Sequence, residues 1–148
     1  MPRISRFVAR GWAIGLCGLA AACTQFMPAK SNSPEGLLAS TEWQLQLLGT
    51  HGAIEAQQPT LEFDKDDKIS GSGSCNRFNG TVKISGKAMS ISPLASTRMA
   101  CAPALNQQEQ TYFTALQQAE WFLVAGTTLT IYTRSMDQPL VFFRTRPQ

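Results

Sequence analysis

The chain has 148 residues, of which 43% are hydrophobic and 16% charged. That is one domain's worth of chain, with apolar residues enough for a single core. The formal net charge of +3 is accounted for by Arg3, Arg6 and Arg10 at the N-terminus; the rest is balanced and holds no run of like charge. Nucleic-acid binding therefore loses its main physical support, a basic field that neutralises phosphates.

Residues 11–22 follow this basic head as a nearly uncharged run. At about 1.5 Å per residue it covers only about 18 Å, against about 30 Å for a bilayer core, so it is too short to span. It has the anatomy of a cleaved secretory leader, residues 1–22. The run Leu19-Ala20-Ala21-Ala22-Cys23 resembles a bacterial lipobox, in which the cysteine thiol is acylated and becomes the first residue of the mature chain. Here Ala20 takes the place where leucine is usual. An ordinary leader cut near Ala22, leaving Cys23 as a free thiol, is the alternative. Residues 23–36 are rich in Pro, Ser and Asn and are expected to form a flexible tether. Thr24 follows the lipid cysteine, and the resemblance then implies the outer membrane, facing the periplasm, rather than retention in the inner one.

From residue 37 the pattern is mainly of period two. Trp43, Leu45 and Leu47 alternate with polar residues, as do Leu61 and Phe63. Lys65-Asp66-Asp67 reads as a turn into a strand over 68–72. Val82 and Ile84 lie on one face of a strand over 81–85, Gly86-Lys87 forms a hairpin turn, and Met89 and Ile91 point inward from a strand over 88–92. The one helical segment is 103–119. It carries Leu105, Tyr112, Phe113, Leu116 and Ala119 at helical spacing, Pro103 at its start, and Gln107, Gln108, Glu109, Gln117 and Gln118 on the solvent side. Three further strands are expected over 120–125, 127–133 and 139–145. This order predicts a mainly β domain over 37–146. It is a small antiparallel barrel or strongly curled sheet of about seven or eight strands, with the helix covering one end.

Cys17 leaves with the leader and Cys23 is assigned to lipid. Cys75 and Cys101 remain, an even pair in an oxidising compartment, and a disulfide is expected. It would stabilise the fold by about 3–4 kcal/mol on the chain-entropy model. Two buried free thiols are the alternative. The stretch from Gly71 to Gly80 (GSGSCNRFNG) has the small and Asn residues that let a strand end, make an irregular excursion and resume at Thr81. Thr97-Arg98-Met99-Ala100-Cys101 stands just before the helix.

Taken together, these segments resemble the META domain (HslJ-like) family. The residues that carry the resemblance are Trp43-Gln44-Leu45, Leu61-Glu62-Phe63, Gly73-Ser74-Cys75-Asn76 with Phe78-Asn79-Gly80, and Thr97-Arg98-Met99-Ala100-Cys101. Glu109 with Phe113 and Leu116, Leu129, and Phe142 or Phe143 complete the set. Ser74 departs from the glycine common before the cysteine. The resemblance implies a barrel-like β domain with one helix, often on an envelope lipoprotein, linked to stress tolerance or secretion. The fold is also similar to that of a pilot lipoprotein that escorts secretin subunits.

No catalytic set emerges. His51 is the single histidine and lies in a turn-like segment. Glu62 and Asp64 lie two apart, as on any outward strand face, and Gly71-Ser72-Gly73 lacks the lysine and helix of a phosphate loop. Two cysteines and His51 make no zinc set, so no metal or cofactor is expected. Arg77, Arg98 and Asn76 beside the cysteines are the candidate binding residues, suited to an anionic headgroup or a partner carboxylate. Hydrogen bonding of the arginines to loop carbonyls is the alternative. The expected function is that of a monomeric, non-enzymatic lipoprotein. It is anchored to the outer membrane and supports envelope integrity, stress tolerance or assembly by binding a partner. The other readings are a carrier of a lipid or small apolar ligand inside the barrel, or a pilot-like chaperone.

Overall fold

The computed structural model describes residues 34–145. The leader, Cys23 and the tether up to residue 33 lie outside the described residues. The strands are β1 (Thr41–Leu48), β2 (His51–Gly52), β3 (Thr60–Phe63), β4 (Lys68–Ser72), β5 (Arg77–Ser85), β6 (Ala88–Ile91), β7 (Ala95–Ser96), β8 (Ala119–Ala125), β9 (Thr128–Thr133) and β10 (Leu140–Arg144). Helix α1 (Pro34–Leu38) precedes them and α2 (Pro103–Gln117) separates β7 from β8. Eight strands close into an antiparallel barrel in the order β1-β3-β4-β5-β6-β8-β9-β10, and β10 pairs back onto β1. The short β2 and β7 add to β1 and β5 from outside this ring. Closure leaves no unpaired barrel edge, the usual route by which small β domains avoid sticking to one another.

The alternation read from the sequence accounts for most of the interior. Trp43, Leu45, Leu61, Phe63, Ile69, Val82, Met89, Leu129, Ile131, Leu140 and Phe142 all point inward and are buried. Two bulges interrupt it. In β1 the register with β10 shifts between Leu45 and Leu47, so Leu48 is buried and Leu47, expected inside, is exposed. In β8 the shift between Ala119 and Trp121 turns Trp121 outward while Phe122 enters the core. A bulge adds one residue to one strand and reverses the facing of everything beyond it, so strict alternation misassigns the next side chain.

Three expected boundaries also differ. The strand after the glycine-rich stretch resumes at Arg77 rather than Thr81, so the irregular excursion shortens to Gly73–Asn76. The helix ends at Gln117, where the Gln118 N–H bonds back to Ala115 O and Leu116 O. The end of the expected tether is helical in α1, whose Leu38 is buried. Thr41 Oγ1 donates to Leu38 O, and Trp43 Nε1 donates to Thr41 Oγ1 at 2.7 Å. Arg144 Nη2 donates to Leu37 O at 3.4 Å, and its guanidinium lies 4.7 Å from the centre of the Trp43 ring. These contacts plug the lower end of the barrel, where the chain enters and leaves. Helix α2 closes the upper end.

Candidate functional site

Helix α2 meets the barrel through a face that is half polar. Its buried residues are Gln108, Glu109, Tyr112, Ala115 and Leu116. Gln108 and Glu109, assigned to solvent by their chemistry, are therefore in the interface. Pro103 occupies the first turn, where a missing N–H costs nothing. The Tyr112 hydroxyl donates to Thr60 O at 3.1 Å, and full burial pushes the phenol pKa well above its usual value. Phe113 sits edge-on to Phe78, with ring centres 5.2 Å apart.

The excursion Gly73–Asn76 is moulded to this helix. A Cβ on Gly73 would lie 2.5 Å from Phe113 Cζ and 2.7 Å from Glu109 Cγ, so the backbone approaches closer than any side chain allows. Ser74 adopts φ 109°, a conformation unusual for a residue with a side chain. Its hydroxyl accepts from Gln108 Nε2 at 2.7 Å, which anchors it there. Gln108 Oε1 accepts from the Ile54 N–H at 2.9 Å, so one amide clamps two loops.

Glu109 is the hub. Its Oε2 accepts from the backbone N–H groups of Cys75 at 3.1 Å and Asn76 at 2.6 Å, and Oε1 accepts from Asn76 Nδ2 at 2.7 Å. Asn76 Oδ1 in turn accepts from Thr97 Oγ1 at 2.9 Å and from the Met99 N–H at 2.7 Å. The Cys75–Cys101 disulfide, with Cα atoms 6.1 Å apart, fastens the same excursion to the segment that leads into α2. Backbone donors that the barrel ladder cannot satisfy are thus satisfied by one carboxylate and one amide.

This arrangement decides what the corner can do. Glu109 has both oxygens engaged by N–H donors, and Asn76 is buried with its amide bonded at both ends. Both act as structural pins. Arg77 and Arg98 are exposed and both lie beside the short segment Ser96-Thr97. The nearby loop carbonyl Met99 O accepts from Asn76 Nδ2 at 3.5 Å. An open groove of about 440 Å³ runs between this segment and α2, with Arg98, Met99, Asn106, Phe113 and Gln117 along it. His51 is exposed in β2, with Nδ1 3.3 Å from Thr50 Oγ1. Glu62 is exposed on β3, and Asp64 lies just past its end. Among the described residues no three His, Cys, Asp or Glu side chains gather as a metal site would require.

The interior is filled. Trp43, Phe63, Tyr112, Phe122 and Phe142 are the largest of the wholly buried side chains, and they occupy the space between the two helical plugs. A hollow of about 800 Å³ opens to solvent at the α1 end, beside Leu38, Phe63, Val82 and Ile84, with Asp64, Lys65 and Lys83 at its rim.

The outer wall carries the second distinctive surface. Leu47, Trp121 and Leu123 are each 42% exposed and Phe143 is 50% exposed. All four lie on β1, β8 and β10. Trp121 stacks flat on Tyr132 of β9, with ring centres 3.5 Å apart and planes within 7°. The bulges at Leu47 and Trp121 are what turn two of these side chains outward. Sequence alternation placed Leu47 inside, and no local residue pattern marks either bulge. Glu109 did carry a signal. It lies four and seven residues before Phe113 and Leu116, on the face that meets the barrel.

The META domain family model matches residues 36–147. No curated protein matches the chain. Among solved structures, a protein from Burkholderia xenovorans studied by NMR is 23% identical, covers 99% of this chain and 100% of its own, and superposes with a TM-score of 0.62. Another NMR structure is 29% identical over 74% of this chain and 92% of its own, with a TM-score of 0.61. A DUF4847 family protein from Bacteroides vulgatus is 14% identical over 77% of this chain and 99% of its own, with a TM-score of 0.56.

Proposed function

We propose a role for this chain, which belongs to the META domain family, as a non-enzymatic lipoprotein of the outer membrane whose barrel supports envelope integrity or assembly through its surface. The observation that carries this reading is the outward-facing apolar wall of Leu47, Trp121, Leu123 and Phe143. A domain that has already closed its core and its strand edges does not need so much apolar surface in water, and an exposed apolar patch marks a contact surface. A leader over residues 1–22, cleaved to leave an acylated Cys23, would supply the anchor. The disulfide supports an oxidising compartment, because cytosolic thiols are kept reduced. The engaged polar atoms of Glu109 and Asn76 support a structural corner rather than a reactive one.

The test combines acylation with function in cells. Palmitate labelling is expected in the outer-membrane fraction and is lost in Cys23→Ser. A deletion strain is expected to leak periplasmic enzyme under detergent, and the wild-type gene to restore the barrier where a Leu123→Asp, Phe143→Asp variant does not. Labelling that persists in Cys23→Ser, or a reduced and unacylated cytosolic product, refutes the anchor. Full rescue by the wall variant refutes the role of the surface.

A further inference from the structure

The barrel wall is divided by charge. On the half formed by β8, β9, β10 and the upper part of β1, the outward positions include Leu47, Trp121, Leu123, Tyr132, Val141 and Phe143, and no charged residue stands between them. The residues that separate them, Thr128, Thr130 and Gln44, are uncharged. At one margin Glu120 and Arg134 pair with each other at 3.1 Å. The other half, formed by β3, β4 and β5, turns Glu62, Lys68, Arg77 and Lys83 to solvent. Cross-strand pairing makes the apolar half continuous. Trp121 stands opposite Tyr132, Leu123 opposite Thr130, Thr130 opposite Val141, and Val141 opposite Leu47. Four strands at about 4.8 Å spacing make a face about 15 Å across.

We propose that this wall rests on the phospholipid surface, laying the barrel on its side against the membrane that holds its lipid. The inference rests on acylation at Cys23 as proposed above. Two observations favour lipid as the occupant. First, residues 24–33 separate the lipid cysteine from Pro34. That stretch reaches at most about 40 Å when fully extended, and α1 enters at the barrel end where Arg144, next to Phe143, bonds to Leu37 O. The tether therefore holds this wall within reach of the bilayer at high effective concentration, so a weak contact is enough. Second, an indole stacked on a phenol beside aliphatic side chains, without charge, is the chemistry that partitions to the headgroup boundary. Nothing on the face would need to lose the hydration of a full charge.

Trp121 supplies the assay. Trp12 leaves with the leader and Trp43 is fully buried, so Trp121 is the exposed tryptophan of the mature chain. The acylated mature protein is reconstituted into vesicles of phosphatidylethanolamine and phosphatidylglycerol, with and without brominated acyl chains. Vesicle binding is expected to blue-shift Trp121 emission and the brominated chains to quench it, and the Trp121→Phe protein to show only an unquenched Trp43 component. Leu123→Asp, an exposed substitution checked for folding by circular dichroism, is expected to reduce the quenching about twofold or more, since a carboxylate is expelled from the acyl region. A vesicle-bound, acylated protein whose Trp121 stays open to iodide and unquenched by bromine overturns the inference and leaves the anchor standing. Shielding from both quenchers, with chain-to-chain crosslinks through the wall, overturns it in favour of a second copy. Loss of palmitate labelling would instead strike the anchor itself.

Discussion

Glu109→Gln is the substitution that tests the polar corner most sharply. It conserves shape and helix propensity, so its background cost is small. In the native corner both carboxylate oxygens accept, two N–H donors on Oε2 and the Asn76 amide on Oε1. Glutamine offers one oxygen and one NH2. With its oxygen in the Oε2 position it keeps the two backbone donors but turns N–H against N–H at Asn76. Flipping the Asn76 amide cannot relieve this, because Oδ1 already accepts from Thr97 Oγ1 and the Met99 N–H. One buried donor pair left unsatisfied costs about 1–3 kcal/mol, and hydrogen bonds that lose a charged acceptor weaken further, so the expected loss is about 2–4 kcal/mol. Against a total of about 5–15 kcal/mol this is a large fraction. Urea denaturation of the oxidised protein at neutral pH should show a lower midpoint at unchanged slope, and Tm should fall by about 10 °C. Glu109→Ala is expected to cost at least as much, since all three donors lose their acceptor. A Glu109→Gln protein within about 0.5 kcal/mol of wild type, inside the range of ordinary surface substitutions, would refute the assignment of Glu109 as the hub.

Replacing both Cys75 and Cys101 by Ala is expected to lower stability by about 3–4 kcal/mol through the freed loop of the unfolded chain, measured by denaturation, with intact mass confirming two hydrogens fewer in wild type than in its reduced form. Gly73→Ala should cost about 1–3 kcal/mol by forcing Phe113 or Glu109 off its packing position; a neutral result would mean the helix can retreat. Tyr112 gives a pH signature. Its phenol pKa is raised in the fold by burial, so above about pH 10 the unfolded chain releases a proton that the folded one keeps. The group's contribution is complete below that pH and is lost as pH rises toward the folded value, with a slope of up to about 1.4 kcal/mol per pH unit. Denaturation midpoints followed from pH 8 upward should show this decline, and Tyr112→Phe should lessen it.

The strands and their inward faces were legible because a residue's facing in a regular strand follows from its neighbour's, and Leu61, Phe63, Val82, Met89 and Ile91 repeat every second position. The helix was legible for the same reason at a longer period. The bulges at Leu47 and Trp121 were not, because each is set by the register against a partner strand, β10 at the far end of the described chain for Leu47 and β9 across the hairpin for Trp121, and composition does not mark the extra residue. Burial of Gln108 and Glu109 ran against their polarity, even though the spacing of Glu109 to Phe113 and Leu116 put it on the buried face. Each side chain alone favours water, and only the unpaired N–H groups of Ile54, Cys75 and Asn76 make the interior the better place for them.

By itself the sequence determined a β domain with one helix and the two cysteines able to pair, since these follow from local composition, period and count; the leader over residues 1–22 and acylation at Cys23 stand as expectations from the same reading. Tertiary structure alone decided that the ring closes, that a carboxylate is buried to hold the excursion at Cys75, and that tryptophan and leucine line the outside of the wall. Closure joins β1 to β10, segments distant in the chain, so no short window contains both parties, and register depends on which residues of two strands face each other rather than on either strand alone.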